Sequence, residues 1–148
     1  MTRLTDFHRD YWNAFEERAR ADGAGVPSFR RSNRYMIFRG GVGGAHLAAS
    51  VLVSRKVITF YLLLEGEHRN EMYEHLSARK NEIDAELGEA PVWKVWATSN
   101  RARVTVELNV DNPDVRKDWP RQHHWIMGRA KAFDSAFWPR LHALKATP

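Results

Sequence analysis

Acidic side chains, histidines and hydroxyls are the groups in this chain of 148 residues that could do chemistry, because the sequence contains no cysteine. Thiolate metal ligands, disulfides and cysteine nucleophiles are therefore excluded together. One group of acids with a histidine, Glu65, Glu67, Glu71 and His75, begins at the end of the third predicted strand. Glu71 and His75 share a helical face at i, i+4, as many solvated pairs do. A nuclease-like enzyme with an atypical site would have to assemble that site from groups distant in sequence, such as these.

Neither the histidines nor the serines follow a spacing that supports a site. His68 and His75 lie two helical turns apart, and the adjacent His123 and His124 point in different directions from a helix. No serine stands in a Gly-x-Ser-x-Gly elbow. We therefore assign no catalytic residue, no metal ligand and no cofactor, and we expect the protein not to be an enzyme.

The glycine-rich run from Gly40 to Gly44 invites comparison with a phosphate-binding loop. The run lacks the Lys-Ser/Thr that follows in a P-loop. A strand rather than a helix is predicted next, so no helix N-terminus is available for a phosphate. The connection of a β-hairpin explains the run better.

Charge is segregated along the chain, whose net charge is +5. Residues 23–64 contain six arginines and lysines and no acid, whereas residues 65–90 contain three basic and eight acidic residues. Within the basic block, Phe29 to Tyr35 interleaves guanidinium and aromatic groups, which suits phosphate contact and base stacking. A second basic set lies on the predicted last helix. The predicted nucleic-acid or anion contacts are Arg30, Arg31, Arg34, Arg39, Arg129 and Lys131.

Two arrangements of these charges stay open from the sequence. If the two basic sets share one surface, they form a groove for nucleic acid or another polyanion. If they face the acidic segment of residues 65–90, they only neutralise it. The first arrangement predicts a non-catalytic binding module, and the second predicts a compensated surface.

Apolar periodicity predicts three helices and five strands. The first helix is predicted to begin after Asp6, which caps it, and the second to span residues 67–87. The third begins after its cap Asp118 and has a kink or break at Pro139. The strands are predicted at residues 35–39, 46–53, 57–64, 92–98 and 103–110. The order α-β-β-β-α-β-β-α predicts a single α+β domain over residues 1–148, with a mostly antiparallel five-stranded sheet packed with helices.

The order α, β, β, β, α, β is similar to the core of the PD-(D/E)XK nuclease superfamily, whose metal-binding carboxylates lie on the second and third strands. Here the second predicted strand has no acid. The third is followed by Glu65-Gly66-Glu67, where the pattern requires a lysine in place of Glu67. Two-metal hydrolysis needs converging carboxylates, so the residues argue against an active nuclease of this type.

Location and association follow from the apolar residues. The first residues contain no apolar signal region, and the longest apolar run, residues 57–64, is too short to cross a bilayer. We expect a cytoplasmic protein without membrane contact. Trp93 and Trp96 are three apart on a predicted strand and must face opposite sides, so one of them is a candidate contact in a homodimer or with a docking partner.

Several packing and turn signatures resemble a known family. They are Tyr11 to Phe15, the glycine-rich connection, Glu86-Leu87-Gly88 before Val92-Trp93, Asp118-Trp119, and Phe133 to Pro139. The chain resembles a bacterial and archaeal family of domains of about 140 residues, of the domain-of-unknown-function type. Members of that family occur alone or C-terminal to nuclease-like or restriction-associated regions. The resemblance implies an accessory role in nucleic-acid transactions or defence, and it supplies no site residues.

Overall fold

The computed structural model describes residues 3–22, 30–31 and 35–146, and for residues 30, 31, 41, 42, 145 and 146 it describes the backbone only. The helices are α1 (Leu4–Ala21), α2 (Arg69–Ser77), α3 (Lys80–Leu87) and α4 (Trp119–Ala146), with a short 3-10 helix (Arg116–Asp118) before α4. The strands are β1 (Arg30–Arg31), β2 (Tyr35–Val42), β3 (Ala45–Leu52), β4 (Val57–Glu65), β5 (Val92–Trp96) and β6 (Arg101–Asn109).

The strands form one antiparallel sheet in the order β1-β2-β3-β4-β6-β5. β4 lies between β3 and β6 and pairs with both along its length. Its sequence, VITFYLLLE, is almost entirely apolar, as is typical of a strand that is covered on both faces. The neighbouring strand β6 instead alternates polar and apolar residues, which places one of its faces in the core and the other in the solvent.

The core lies between one face of the sheet and the helices. Alternate residues of the three central strands point into it: Leu47, Ala49, Ile58, Phe60, Leu62, Val104 and Val106. α4 lies against β2, β3 and β4 and also contacts the other three helices. Phe60 is buried between Phe38 and Phe133, with ring centroids 5.4 and 4.9 Å away. Truncation of such a ring to alanine costs about 3 to 5 kcal/mol.

The first helix is held by its aromatic stripe. Phe7, Tyr11 and Phe15 recur every four residues and are buried. Their rings meet Trp119 and His123 of α4 edge to face. This spacing fixes α1 against the start of α4.

The predicted α+β class and the order of its elements are confirmed. The sheet gains one strand, the two-residue β1, beside β2. The predicted helix of residues 67–87 is two helices, because Arg79 has φ −113° and ψ 24°, outside helical values. Met72, Leu76, Ile83 and Leu87 give the same apolar pattern in one helix or in two, so the pattern does not reveal the break. Gly88 ends α3 in the left-handed conformation.

Two expectations about helix ends and breaks are wrong. Asp6 does not cap α1, which begins two residues earlier; it lies in the first turn, where a carboxylate favours the helix N-terminus. Of the kink or break predicted at Pro139, the break does not occur, because α4 continues to Ala146. Phe137 and Trp138 before the proline and Leu141 after it are buried in the core, and this packing holds both sides in one helix. No helix within the described ranges is long and apolar enough to cross a membrane.

Candidate nucleic-acid interface

The register of the sheet places five cross-strand rows on the face that points away from the core, and we call these rows the open face. They are Leu52, Val57 and Asn109; Tyr35, Ser50, Thr59 and Glu107; Ile37, Ala48, Tyr61, Thr105 and Val92; His46, Leu63, Arg103 and Lys94; and Glu65, Arg101 and Trp96. Among the helical residues that the structure describes, Leu4 and His8 alone line the groove on this face.

Lys94 and Arg103 lie directly opposite each other on β5 and β6. Like charges at such a position destabilise the strand pair. Each cation lies over an aromatic ring: Lys94 Nζ is 4.8 Å from the centroid of Trp96, and Arg103 Cζ is 4.0 Å from that of Tyr61. No carboxylate of the described residues comes within 4.0 Å of either cation. Both charges are therefore available to an anion.

Arg101 lies one row further along and is partly compensated. Its Nε is 3.5 Å from an oxygen of Glu65, and the other Glu65 oxygen is 3.7 Å from Nε2 of His46. The Arg101 side chain keeps 63% of its surface exposed. Exposed pairs of this kind contribute at most about 1 kcal/mol, so Arg101 can exchange Glu65 for another anion at little cost.

A groove of about 620 Å³ runs along the open face. Ile37, Ala48 and Leu63 form an apolar part of its lining, and Arg101 and Arg103 line it from β6. Inside it, the Ser50 and Tyr61 hydroxyls are 3.4 Å apart. The groove thus combines apolar surface with positive charge, and its size lies in the range of ligand sites.

The residues predicted from sequence as anion contacts are not gathered on one surface in the part of the chain that the structure describes. Arg39 reaches the core side of the sheet, where it donates to Asp134 of α4 at 2.8 Å and lies over Trp138. Arg129 donates to the Leu87 carbonyl at 2.9 Å and to Glu89 at 2.8 Å. Lys131 is exposed on α4.

Of the remaining predicted contacts, Arg30 and Arg31 form strand β1, with Arg30 opposite Ile37 in the backbone register. Arg34 lies outside the described residues.

The acidic segment of residues 65–90 compensates α4 rather than the described arginines of the basic block. Glu86 accepts from both terminal nitrogens of Arg140, and Glu82 lies 3.6 Å from the same guanidinium. This contact lowers the pKa of Glu86. In the basic block, Arg55 lies 3.5 Å from Glu107 of β6. The glutamates of residues 82–89 therefore pair with arginines of α4, and the acid that pairs with Arg55 comes from β6.

Glu65, Glu67, Glu71 and His75, the example of an atypical hydrolytic site, do not converge on one point. Glu67 and Glu71 each lie within 4 Å of His68 and are largely exposed, at 88% and 72% of their side-chain surface. Glu65 turns into the open face, and His75 bonds to the Arg140 carbonyl on the other side of the sheet. Across residues 3–22, 30–31 and 35–146, no three histidine or acidic side chains form a group that could hold a metal ion.

A buried polar cluster joins α1 to α4. Arg18 Nε donates to His123 Nδ1 at 3.2 Å, so the imidazole proton lies on Nε2. His123 Nε2 and the Tyr11 hydroxyl are buried without a hydrogen-bond partner among the described residues. Burial, followed by the charge of Arg18, lowers the pKa of His123 to about 3, and burial raises the pKa of Tyr11. The histidine is therefore neutral and serves packing.

A sequence comparison places the chain in a family. The pattern of the family described as "Domain of unknown function (DUF4268)" matches residues 7–141. The chain belongs to the DUF4268 family. No match was found among curated protein sequences. A crystal structure of YbjN from E. coli, described as a candidate transcription regulator, resembles this DUF4268 domain with a TM-score of 0.41 and 13% identity, over 84% of this chain and 91% of that chain.

The open-face cations of this DUF4268 domain were missed by the sequence analysis. Residues 91–118 carry almost balanced charge, with five basic and four acidic residues, so a count by segment hides them. The alternation Lys94-x-Trp96 and Arg101-x-Arg103 is the signal that could have identified them, because residues two apart on a strand share a face. Their meeting as a pair required the register of β5 against β6.

Proposed function

We propose that this DUF4268 domain is a non-catalytic binding module that contacts nucleic acid through its open face. The pair Lys94 and Arg103, with no carboxylate of the described residues within 4.0 Å, carries the proposal. An anion between the two side chains would relieve their repulsion, and a phosphate backbone offers such anions in series. Arg101 continues the positive charge along the next row.

The proposed phosphate contacts are Lys94, Arg101 and Arg103. The predicted contacts Arg30, Arg31 and Arg34 stay part of the proposal and would extend it toward the β1 edge of the sheet. To contact a phosphate, Arg39 would have to release Asp134, and Arg129 would have to release Glu89. Lys131 stands on α4 without an ion pair to the described residues and stays a predicted contact, so a matched charge reversal there separates α4 from the open face.

The test is Lys94→Glu, measured for nucleic-acid affinity and for stability together. The substitution places a carboxylate opposite Arg103, so we expect the free energy of unfolding to stay unchanged or to rise by about 0.2 to 1 kcal/mol. We expect affinity for nucleic acid at low salt to fall by roughly 10-fold, and the salt dependence of binding to weaken by about one phosphate contact. Fluorescence anisotropy with labelled oligonucleotides and urea unfolding give the two readouts.

Lys131→Glu changes the charge by the same amount on α4 and should leave affinity within about 2-fold, apart from the general effect of net charge. An equal loss in both variants would assign binding to α4 or to overall charge and overturn the open-face assignment. A wild-type protein that binds neither DNA nor RNA at low salt would overturn the proposed function itself.

The exposed edge of the sheet supports a second candidate, a homodimerisation or partner-docking role. β5 ends the sheet, and its Val92 and Val95 are 66% and 41% exposed. Unpaired edge strands with apolar residues can pair with another chain. We propose a second copy as the occupant, with the two β5 strands antiparallel, since this pairing would join two open faces into one surface.

A further inference from the structure

We infer that the open face binds single-stranded rather than double-stranded nucleic acid, with unpaired bases in the groove and phosphates along Lys94, Arg101 and Arg103. This inference rests on the proposed function and names the ligand class of the same surface. Three features carry it: the apolar lining of the groove, an accessible ring beside it, and the position of the cations at one side.

The groove has two chemically different parts. Toward β2 and β3 the lining includes the apolar side chains of Ile37, Ala48 and Leu52, and toward β6 it includes Arg101 and Arg103. A purely anionic ligand would use the cations and leave the apolar part empty. A ligand that fills both parts needs a flat apolar ring joined to a phosphate, which is the composition of a nucleotide with its base exposed.

An aromatic ring is available where a base would enter. Tyr35 lines the groove and is 37% exposed. It lies opposite Ser50 in the register, and the Ser50 hydroxyl is 3.4 Å from that of Tyr61. Tyr61 itself is buried, with Arg103 over its ring. Tyr35 therefore offers a stacking surface, and the Ser50 hydroxyl, which lines the groove, offers a hydrogen bond to a base edge.

A duplex cannot use these groups. Its bases are stacked on one another and paired, so their faces are closed to Tyr35 and to the apolar lining. Reading a duplex from its major groove requires a protruding helix or ribbon, whereas the open face is concave. A duplex could reach only the cations, through its phosphates. The stacking of bases on an aromatic ring is then available to a single strand alone.

The experiment compares labelled single strands and duplexes of equal length, as DNA and as RNA, by anisotropy at low salt. We expect the single strand to bind at least about 10-fold more tightly, because it adds stacking to the phosphate contacts. Tyr35→Ala should lower single-strand affinity by roughly 10-fold and leave duplex affinity unchanged. Tyr35→Phe keeps the ring and should retain the wild-type affinity, which separates stacking from the hydroxyl.

The outcomes separate this inference from the proposed function. Equal binding of duplex and single strand, or an unchanged affinity of Tyr35→Ala for the single strand, would overturn the inference and leave the proposed function standing if Lys94→Glu still weakens binding. Thymidine monophosphate bound as tightly as the oligonucleotide would assign the groove to free nucleotides and overturn it too. No binding of any nucleic acid would overturn both.

Discussion

His123 ties the stability of the protein to pH at the scale of a single residue. It is buried among the rings of Tyr11, Phe15 and Trp119, and Arg18 holds it in the neutral form. Its pKa in the folded protein, about 3, lies below the ordinary value of 6.5. The unfolded chain therefore takes up a proton at a higher pH than the folded chain does. This contribution to stability is fully present above about pH 6.5 and is lost as pH falls toward 3.

We expect the free energy of unfolding to fall by up to about 1.4 kcal/mol for each pH unit below 6.5, because one proton is bound on unfolding. Urea unfolding of the wild type between pH 7.5 and 4.5 would show this slope, with those limits set about the ordinary pKa of histidine. His123→Phe should flatten the curve. The exposed neighbour His124, changed to Gln, is the matched control and should keep the wild-type slope. A flat wild-type curve would contradict the assignment.

The arginines show at the same scale that residue type does not decide role. Arg39 and Arg103 both lie over aromatic rings, at 5.2 Å from Trp138 and 4.0 Å from Tyr61. Arg39 also has Asp134 at 2.8 Å, whereas Arg103 has Lys94 opposite it. The first arginine joins a strand to a helix, and the second is the better candidate for a ligand contact.

The hairpin between β2 and β3 depends on one glycine more than on the others. Gly43 and Gly44 both have positive φ, 50° and 96°. A Cβ on Gly44 would lie 2.1 Å from the Glu65 carbonyl oxygen, while a Cβ on Gly43 would meet nothing within 4 Å. The Gly44 carbonyl also accepts from the Glu65 amide at 3.1 Å. The turn is thus pressed against the end of β4.

Gly44→Ala should destabilise the protein by about 3 kcal/mol or more, because backbone strain adds to the collision with Glu65. Gly43→Ala carries only the cost of a left-handed residue, about 1 to 2 kcal/mol. Urea unfolding of both variants, side by side, measures the difference. Equal destabilisation would mean that the contact between Gly44 and Glu65 does not form in solution.

The secondary-structure elements show why the predicted basic residues do not form one binding surface among the described residues. α4 carries Arg129 and Arg140, and the acidic ends of α3 and its following loop supply Glu86 and Glu89 to them. Arg129, which was predicted as a binding contact, therefore joins Arg140 in linking α4 to the end of α3. Lys94 of β5 and Arg103 of β6 show the opposite case, since they lie opposite each other in the register and no carboxylate of the described residues lies within 4.0 Å of either.

At the scale of the whole molecule, the two proposed roles respond to salt in opposite directions. Nucleic-acid binding weakens as salt rises, because counterions compete for the phosphates. Symmetric antiparallel pairing of two β5 strands about Lys94, their middle residue, brings the two Lys94 side chains together, and salt screens this repulsion.

We therefore expect the mass measured by light scattering at high protein concentration to rise with salt from 17.2 kDa toward twice that value. Val95→Lys adds a charge to the exposed edge and should keep the protein monomeric at every salt concentration. Leu4→Lys changes another exposed apolar residue outside β5 and serves as the control. A wild type that stays at the monomer mass throughout would remove the homodimer from consideration.

Much of the fold could be predicted from sequence because periodicity records which side of an element is buried. The apolar run of residues 57–64 and the apolar periodicity after Asp6 predicted a strand and a helix, and β4 and α1 lie there. Helix ends were less predictable: Arg3, not Asp6, occupies the N-cap of α1, and core packing carries α4 through Pro139. The candidate site was not predictable by charge counting, since its cations come from a segment of nearly balanced charge.

The sequence by itself determined the α+β class, the DUF4268 resemblance in its packing signatures, and the absence of acids from residues 23–64, because these depend on residue type and local spacing. Only the tertiary structure decided which charges face each other. In that structure Arg39 pairs with Asp134, Arg129 pairs with Glu89, and Lys94 lies opposite Arg103. The physical reason is that electrostatic partners are set by strand register and helix packing between residues far apart in the chain, which local patterns do not encode.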